Sequence, residues 1–137
     1  MMSKKSLLAL LVVSLFISSA IPTASAYKGY RLSRPPVEDF SLVDQNNQNV
    51  NLTDSRGDVV VVAFIFTRCP DVCPVITQLL RSVESGIGAE YEEHLSIISI
   101  SVDPEYDTPE RLKQYTELHN VNWSHLTGNV ADMESIW

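Results

Sequence analysis

Hydrophobic residues fall into groups along the chain that switch between strand-like and helix-like spacing. Residues 59–66 are apolar without a polar face, which is typical of a strand in the buried middle of a sheet. Residues 95–102 form a second such strand. The region between them predicts a helix that ends near Gly86 or Gly88, because apolar residues recur there at helical spacing: Val75, Ile76, Leu79, Leu80 and Val83.

A polar cluster at residues 44–48 lies between two short apolar segments. Phe40 and Leu42 precede it, and Val50 and Leu52 follow it, so the pattern predicts a short hairpin.

A second helix is predicted after residue 107. Thr108 supplies an N-cap, Pro109 fits the first helical position, and Glu110 places an acid in the first turn. Residues 123–126 predict a third strand, and Asn129 is a candidate cap for a further helix. The second helix has an apolar stripe followed by a closing pair: Leu112, Tyr115 and Leu118, then His119 and Asn120.

The order of these elements is strand–helix–strand–helix–strand–helix. It predicts an α/β fold with a mostly parallel central sheet flanked by helices. Right-handed crossovers would place the buried strands side by side. Because the chain stops at Trp137, where the last helix has just begun, we expect the last strands of the fold to lie beyond it.

The first 26 residues have the pattern of a secretory signal peptide. Lys4 and Lys5 precede the apolar residues 7–17, and an Ala-Ser-Ala triplet ends at Ala26. The apolar stretch is shorter than the roughly 20 residues of a membrane-spanning helix, which favours cleavage over retention as an anchor. We therefore expect an exported, extracytoplasmic protein, in the periplasm or at the outer face of a membrane, with membrane association only if the signal is uncleaved. Residues 27–36 predict an extended lead-in, and residues 37–137 the folded domain.

The chain is acidic. Its formal net charge is −7, and removal of the signal, which carries two lysines and no acid, leaves −9. This charge argues against binding to nucleic acid, whose phosphates require a basic surface.

The candidate chemistry lies in Cys69 and Cys73, between the first buried strand and the first helix. The helix dipole and the unpaired N–H groups at a helix start favour a thiolate, so we expect a lowered thiol pKa there. Three intervening residues allow a reversible disulfide or a pair of soft ligands on one metal. Thiolates select Cu(I), zinc or iron–sulfur; Cu(I) needs the fewest ligands, whereas zinc requires four. The alternatives are a permanent structural disulfide or two unrelated buried thiols.

Three segments resemble the Sco/SenC family of copper-binding proteins. Residues 66–74, Phe-Thr-Arg-Cys-Pro-Asp-Val-Cys-Pro, resemble its first signature, and residues 98–110, with an Asp-Pro-x-x-Asp-Thr core, resemble its second. Residues 126–128, Leu-Thr-Gly, resemble a third. The resemblance implies a thioredoxin-like fold, an extracytoplasmic location and copper delivery to cytochrome c oxidase. It also implies that Cys69 and Cys73 are copper ligands and form a redox-active disulfide.

The resemblance further implies a third copper ligand, a histidine near the C-terminal end of the domain. That position would lie beyond Trp137, and none of the chain's three histidines stands in its place. We expect His94 in an exposed loop, His119 at a helix end, where its charge would interact with the helix dipole, and His125 half-buried in the third strand.

Four charged residues around the motif have supporting interpretations. Asp71 is expected to shape a turn, and Asp103 and Asp107 to shape a loop and cap a helix by local hydrogen bonds. That loop should lie at the carboxyl edge of the strands, beside the cysteines. Arg68 either stabilises a thiolate or is an exposed cation.

Two function classes remain open. One is a copper metallochaperone whose partner is the copper-site subunit of cytochrome c oxidase or another copper or thiol protein. The other is a thiol–disulfide oxidoreductase of the thioredoxin-like class, since one dithiol serves both chemistries. The chemistry of the residues supports the two classes about equally. The resemblance to the Sco/SenC family favours the metallochaperone over an enzyme.

Overall fold

The computed structural model describes residues 37–88, 91 and 93–137. The predicted signal peptide and extended lead-in, residues 1–36, lie outside the described residues. In chain order the elements are β1 (Ser41–Asp44), β2 (Asn49–Asn51), a 3-10 helix (Leu52–Ser55), β3 (Val59–Ile65), α1 (Val72–Gly86), β4 (Leu95–Ser101), α2 (Pro109–His119), β5 (Ser124–Thr127) and α3 (Val130–Glu134).

The five strands form one mixed sheet in the order β2-β1-β5-β4-β3. β3, β4 and β5 are parallel, with Val62 opposite Ile98 and Ile98 opposite Ser124. The hairpin β1–β2 is antiparallel and adds to the sheet alongside β5. Its turn is closed by the Asp44 carboxylate, which accepts the N–H groups of Asn46 and Gln48 at 2.7 and 2.8 Å. The predicted α/β class, the parallel central strands and the hairpin are confirmed.

The expectation that residues 59–66 occupy the buried middle of the sheet is wrong for the described residues. β3 lies at an edge, with Val59 66% and Phe64 46% exposed, and only Ile65 is fully buried. β4, which lies between β5 and β3, is instead the strand with five buried residues in succession. An apolar run shows that a strand has no polar face, but it carries no information about how many strands flank it.

Two apolar clusters fill the interior. The first packs the sheet against α3 and consists of Leu42, Ile98, Ile100, Leu126 and Met133. The second lies where β3, α1 and α2 meet and consists of Ile65, Cys69, Cys73, Leu112 and Tyr115. Both cysteines therefore belong to the core rather than to a surface loop.

The helix ends follow the predicted caps. Thr108 Oγ1 accepts the N–H of Arg111 at 3.4 Å, and Asn129 Oδ1 accepts that of Asp132 at 3.0 Å. Asn120 ends α2 in a left-handed conformation with φ 52°. No helix in the described part of the chain is both long and apolar enough to cross a membrane.

The predicted apolar stripes are only partly buried. Val75, Leu79 and Val83 of α1 are exposed, and the buried residues of this helix are Cys73 and Thr77 instead. In α2, Leu112 and Tyr115 are buried as predicted, but Leu118 is 79% exposed. The helical spacing of apolar residues predicted both helices correctly. It overestimated how many of those apolar residues are buried in the described domain.

Candidate metal and thiol site

Cys69 and Cys73 lie at the carboxyl end of β3, around the first turn of α1. Cys69 is in the connection after β3, and Cys73 is the second residue of the helix. Both are buried and in the thiol form. The backbone N–H of Cys73 points at Cys69 Sγ, 3.4 Å away. The loop thus turns back on itself and brings the first thiol to the N-terminus of α1.

The pKa of the Cys69 thiol is lowered. The main cause is the backbone N–H of Asp71, followed by the N–H of Cys73 and the Cys73 thiol, all of which stabilise the Cys69 thiolate. These N–H groups belong to the start of α1, where the helix has no internal acceptors for them and the dipole favours negative charge. Of the two thiols, Cys69 is therefore the one whose thiolate form the local structure favours.

The pKa of the Cys73 thiol is raised. Burial is the main cause, and the hydrogen bond and charge of the Cys69 thiolate add to it. The prediction of a lowered thiol pKa at the helix start is thus correct for Cys69, which precedes the helix. It is wrong for Cys73, which lies in the first turn of the helix. The physical reason is that the Cys73 side chain lies in the core cluster, where desolvation penalises its charged form.

Asp107 connects the cysteine loop to the end of β4. Its carboxylate is fully buried and accepts the Thr67 N–H at 3.0 Å, the Thr67 hydroxyl at 2.5 Å and the Ser101 hydroxyl at 2.7 Å. The predicted placement of this loop beside the cysteines is confirmed. The expected local capping role is wrong, because Thr108 caps α2 while Asp107 reaches 40 residues back along the chain.

Substitution of Asp107 should destabilise the fold markedly. Asp107→Ala removes the acceptor of three hydrogen bonds and leaves the Thr67 N–H without its partner, so we expect a loss of about 3 kcal/mol in the free energy of unfolding. Asp107→Asn keeps one carbonyl acceptor and should cost about 1 kcal/mol. Urea unfolding of the reduced protein measures both values. Asp103→Ala, which removes a carboxylate from the same loop whose side chain is 25% exposed, is the control and should cost less than about 1 kcal/mol. Equal losses at both positions would contradict the assignment.

Arg68 is an exposed cation held by a carboxylate and an aromatic ring. Its guanidinium pairs with Asp103 at 2.5 Å, with the Arg68 side chain 56% exposed, and lies 4.1 Å above the Tyr106 ring. The hydrogen bond that Arg68 donates to Asp103 is the main cause that raises the pKa of Arg68. Of the two interpretations of Arg68, the exposed cation agrees with the structure. Asp71 occupies the N-cap position of α1 but makes no side-chain capping bond.

Two residues that sequence reasoning did not single out support Cys73. Thr77 donates its hydroxyl to the Cys73 carbonyl at 2.9 Å, and the Tyr115 hydroxyl lies 2.9 Å from Thr77 Oγ1. This chain of contacts links α2 to the turn of α1 that carries Cys73. The spacing of one helical turn between Cys73 and Thr77 could have indicated their hydrogen bond. No local pattern indicates the contact with Tyr115, which lies 38 residues from Thr77.

Of the three histidines, His119 and His125 both lie against the Tyr115 ring, whereas His94 lies in a loop. His94 is 69% exposed on its side chain and lies 4.0 Å from Asp58, as expected for a loop residue. His119 ends α2 beside the Tyr115 ring, and His125 is fully buried in β5 rather than half-buried. Across residues 37–88, 91 and 93–137, no group of three or more His, Cys, Asp or Glu side chains is arranged to hold a metal. The two thiols are a donor pair of the soft kind that Cu(I) accepts at low coordination number.

Comparison with known proteins assigns the family. The sequence profile of the SCO1/SenC family matches residues 29–137. The SCO1 protein homolog of Bacillus subtilis is 38% identical over 95 residues, which are 67% of this chain and 49% of that protein. The structure of BsSco, described as a member of the Sco family of cytochrome c oxidase assembly proteins with a disulfide switch, matches with a TM-score of 0.65 at 35% identity over 73% of this chain and 60% of that one. ScoI of Bradyrhizobium japonicum, solved with copper bound, matches with a TM-score of 0.61 at 32% identity over 72% of this chain and 62% of that one.

The chain spans about half the length of the curated relative and about three fifths of these solved chains. The matched structures share its thioredoxin-like arrangement of a mixed sheet flanked by helices. The profile covers the hairpin, the cysteine segment and the loop that carries Asp107. On this evidence the chain belongs to the SCO1/SenC family.

Proposed function

We propose that this protein is a copper metallochaperone of the Sco type, which carries Cu(I) as cargo on Cys69 and Cys73 and delivers it to the copper-site subunit of cytochrome c oxidase. The observation that carries the proposal is the paired thiols at the start of α1, with the Cys73 N–H directed at Cys69 Sγ. The copper-bound state of the related ScoI and the assembly role stated for BsSco support it.

The two thiols differ in pKa, and this difference suits both the binding and the release of a soft cation. Cys69, whose thiolate is stabilised by N–H groups of α1, is available to bind Cu(I) first. Cys73, whose pKa is raised by burial, regains a proton more readily. Protonation of Cys73 weakens the donor pair and allows an incoming thiolate of a partner to replace it, because only the deprotonated thiol is a good ligand.

The cellular location that fits this role is extracytoplasmic. The signal pattern of residues 1–26 supports export, with attachment to the membrane if the signal is retained.

A thiol–disulfide oxidoreductase is the second candidate, and the opposite pKa directions of the two thiols favour it. In that reaction the Cys69 thiolate attacks a partner disulfide and forms a mixed disulfide, with one partner thiolate released. Cys73 then loses its proton and attacks Cys69 Sγ, which releases the second partner thiol. The partner gains two electrons, and the protein is left with a Cys69–Cys73 disulfide.

The deciding experiment is a titration of the reduced protein with Cu(I) against a chromogenic chelator, with circular dichroism on the same sample. We expect one equivalent of Cu(I) to be taken from the chelator by a folded chain. A folded chain that takes up no Cu(I) but reduces a model disulfide would reject the metallochaperone and establish the oxidoreductase.

A further inference from the structure

A cationic notch adjoins the thiol pair. It is a shallow cavity of about 210 Å³ lined by Thr67, Arg68, Tyr106, Arg111, Gln114 and Tyr115, together with Leu118. None of the residues that line it is acidic, although the chain as a whole carries a net charge of −7. Two guanidinium groups therefore face one small opening on an otherwise acidic protein.

Both guanidinium groups are held in place by the same ring. Arg68 lies 4.1 Å and Arg111 3.8 Å from the centroid of Tyr106. Arg68 is already paired with Asp103, whereas Arg111 makes no ion pair with any carboxylate in the described part of the chain. A guanidinium fixed by stacking loses less side-chain entropy when it binds an anion, and its fork of donors fits a carboxylate.

The notch and the thiols are structurally continuous. Arg68 directly precedes Cys69, and Thr67 is the residue that Asp107 anchors. Tyr115 lines the notch and also belongs to the buried cluster that contains both cysteines. One wall of the notch is thus contributed by the residue next to Cys69, so residues that flank a partner's sulfur at Cys69 can reach it.

We propose that the notch binds acidic side chains that flank the reactive cysteine of the partner protein, with Arg111 as the principal contact. The proposal extends the proposed function, because it names the chemistry by which a copper or thiol partner is recognised. Charge complementarity of this kind acts mainly on the rate of association and on the choice of partner.

Activated peptides test this proposal directly. Two peptides of equal length each carry one cysteine as a mixed disulfide with 2-thiopyridine, flanked by glutamates in one and by glutamines in the other. The Cys69 thiolate attacks the peptide sulfur, pyridine-2-thione leaves, and Cys73 then displaces the peptide thiol to form the Cys69–Cys73 disulfide. Release of the thione is followed by its absorbance for the wild type, Arg111→Gln and Lys113→Gln. Lys113 is an exposed cation of the same helix that does not line the notch.

In Arg111→Gln, we expect the ratio of glutamate-peptide rate to glutamine-peptide rate to fall about threefold. Lys113→Gln should keep the wild-type ratio, and 0.5 M salt should remove the difference between wild type and Arg111→Gln. The rate with the glutamine peptide should be equal in all three proteins. An unchanged ratio in Arg111→Gln, or an equal fall in Lys113→Gln, would overturn the proposal. The assay requires only a reactive Cys69, so a failure to bind Cu(I) would reject the metallochaperone without altering this ratio.

Discussion

Replacement of either Cys69 or Cys73 by serine is expected to reduce Cu(I) affinity by a factor on the order of a thousand, because a hydroxyl is a hard and weak donor for this soft ion. The loss should be similar for the two variants, since each removes one of the two thiols of the donor pair. Competition with a chromogenic chelator at matched free Cu(I) measures it. Cys73→Ser buries a hydroxyl in the core cluster and should lower the free energy of unfolding by about 1–3 kcal/mol, so circular dichroism on each reduced variant checks that it is folded during the titration.

The same two variants should differ sharply in thiol reactivity. Cys73→Ser retains the thiol with the lowered pKa and should react with iodoacetamide near neutral pH about tenfold faster than Cys69→Ser, which retains the buried thiol with the raised pKa. Mass spectrometry of the alkylated protein gives both rates. Equal rates, or faster reaction of the Cys73 thiol, would contradict the assignment of Cys69 as the nucleophile. Equal loss of copper binding together with unequal reactivity is the result that the geometry predicts.

Features of the sequence that depend on neighbouring residues predicted the structure well. The caps at Thr108, Asn120 and Asn129 require only a hydrogen bond within a few residues, so the residue types alone locate the helix ends. The position of the cysteines between β3 and α1 follows equally from the local pattern. The helix ends and the position of the cysteines are thus determined by residues close to them in the sequence.

Features that depend on residues distant in sequence were not predicted. Nothing near Asp107 indicates that its carboxylate binds Thr67, and nothing near Thr77 indicates Tyr115. The edge position of β3 depends likewise on which strands pair with it, not on its own apolar composition. The stacking of Arg68 and Arg111 on Tyr106 belongs to the same class, since it requires two loops and a helix to meet.

We expect His125 to make the fold sensitive to acid. The ring is fully buried, between Tyr115 at 5.7 Å and Trp123 at 5.8 Å between ring centroids. Nδ1 lies 3.1 Å from the Trp123 carbonyl, which can only accept a hydrogen bond, so Nδ1 carries the proton of the neutral ring. Nε2 is then the atom that must take up a second proton. It has no hydrogen-bond partner among the described residues, and burial lowers the pKa of His125 to about 4.

The pKa of His125 in the folded protein lies below its unfolded value of about 6.5. Between these two pH values the unfolded chain therefore binds more protons than the folded one. The free energy of unfolding consequently falls as the pH falls through that window. We expect the reduced protein to lose about 2 kcal/mol in the free energy of unfolding between pH 7 and pH 5 from this histidine alone. In His125→Phe, a ring of similar size that cannot titrate, this part of the loss should disappear. Urea unfolding at pH 7, 6 and 5 measures both proteins, and His94→Gln, which removes an exposed histidine, should keep the wild-type pH dependence. If His125→Phe lost as much stability as wild type over this range, the acid sensitivity would have to arise from groups other than His125. If it lost less and His94→Gln did not, proton uptake by His125 on unfolding would account for that part of the acid sensitivity.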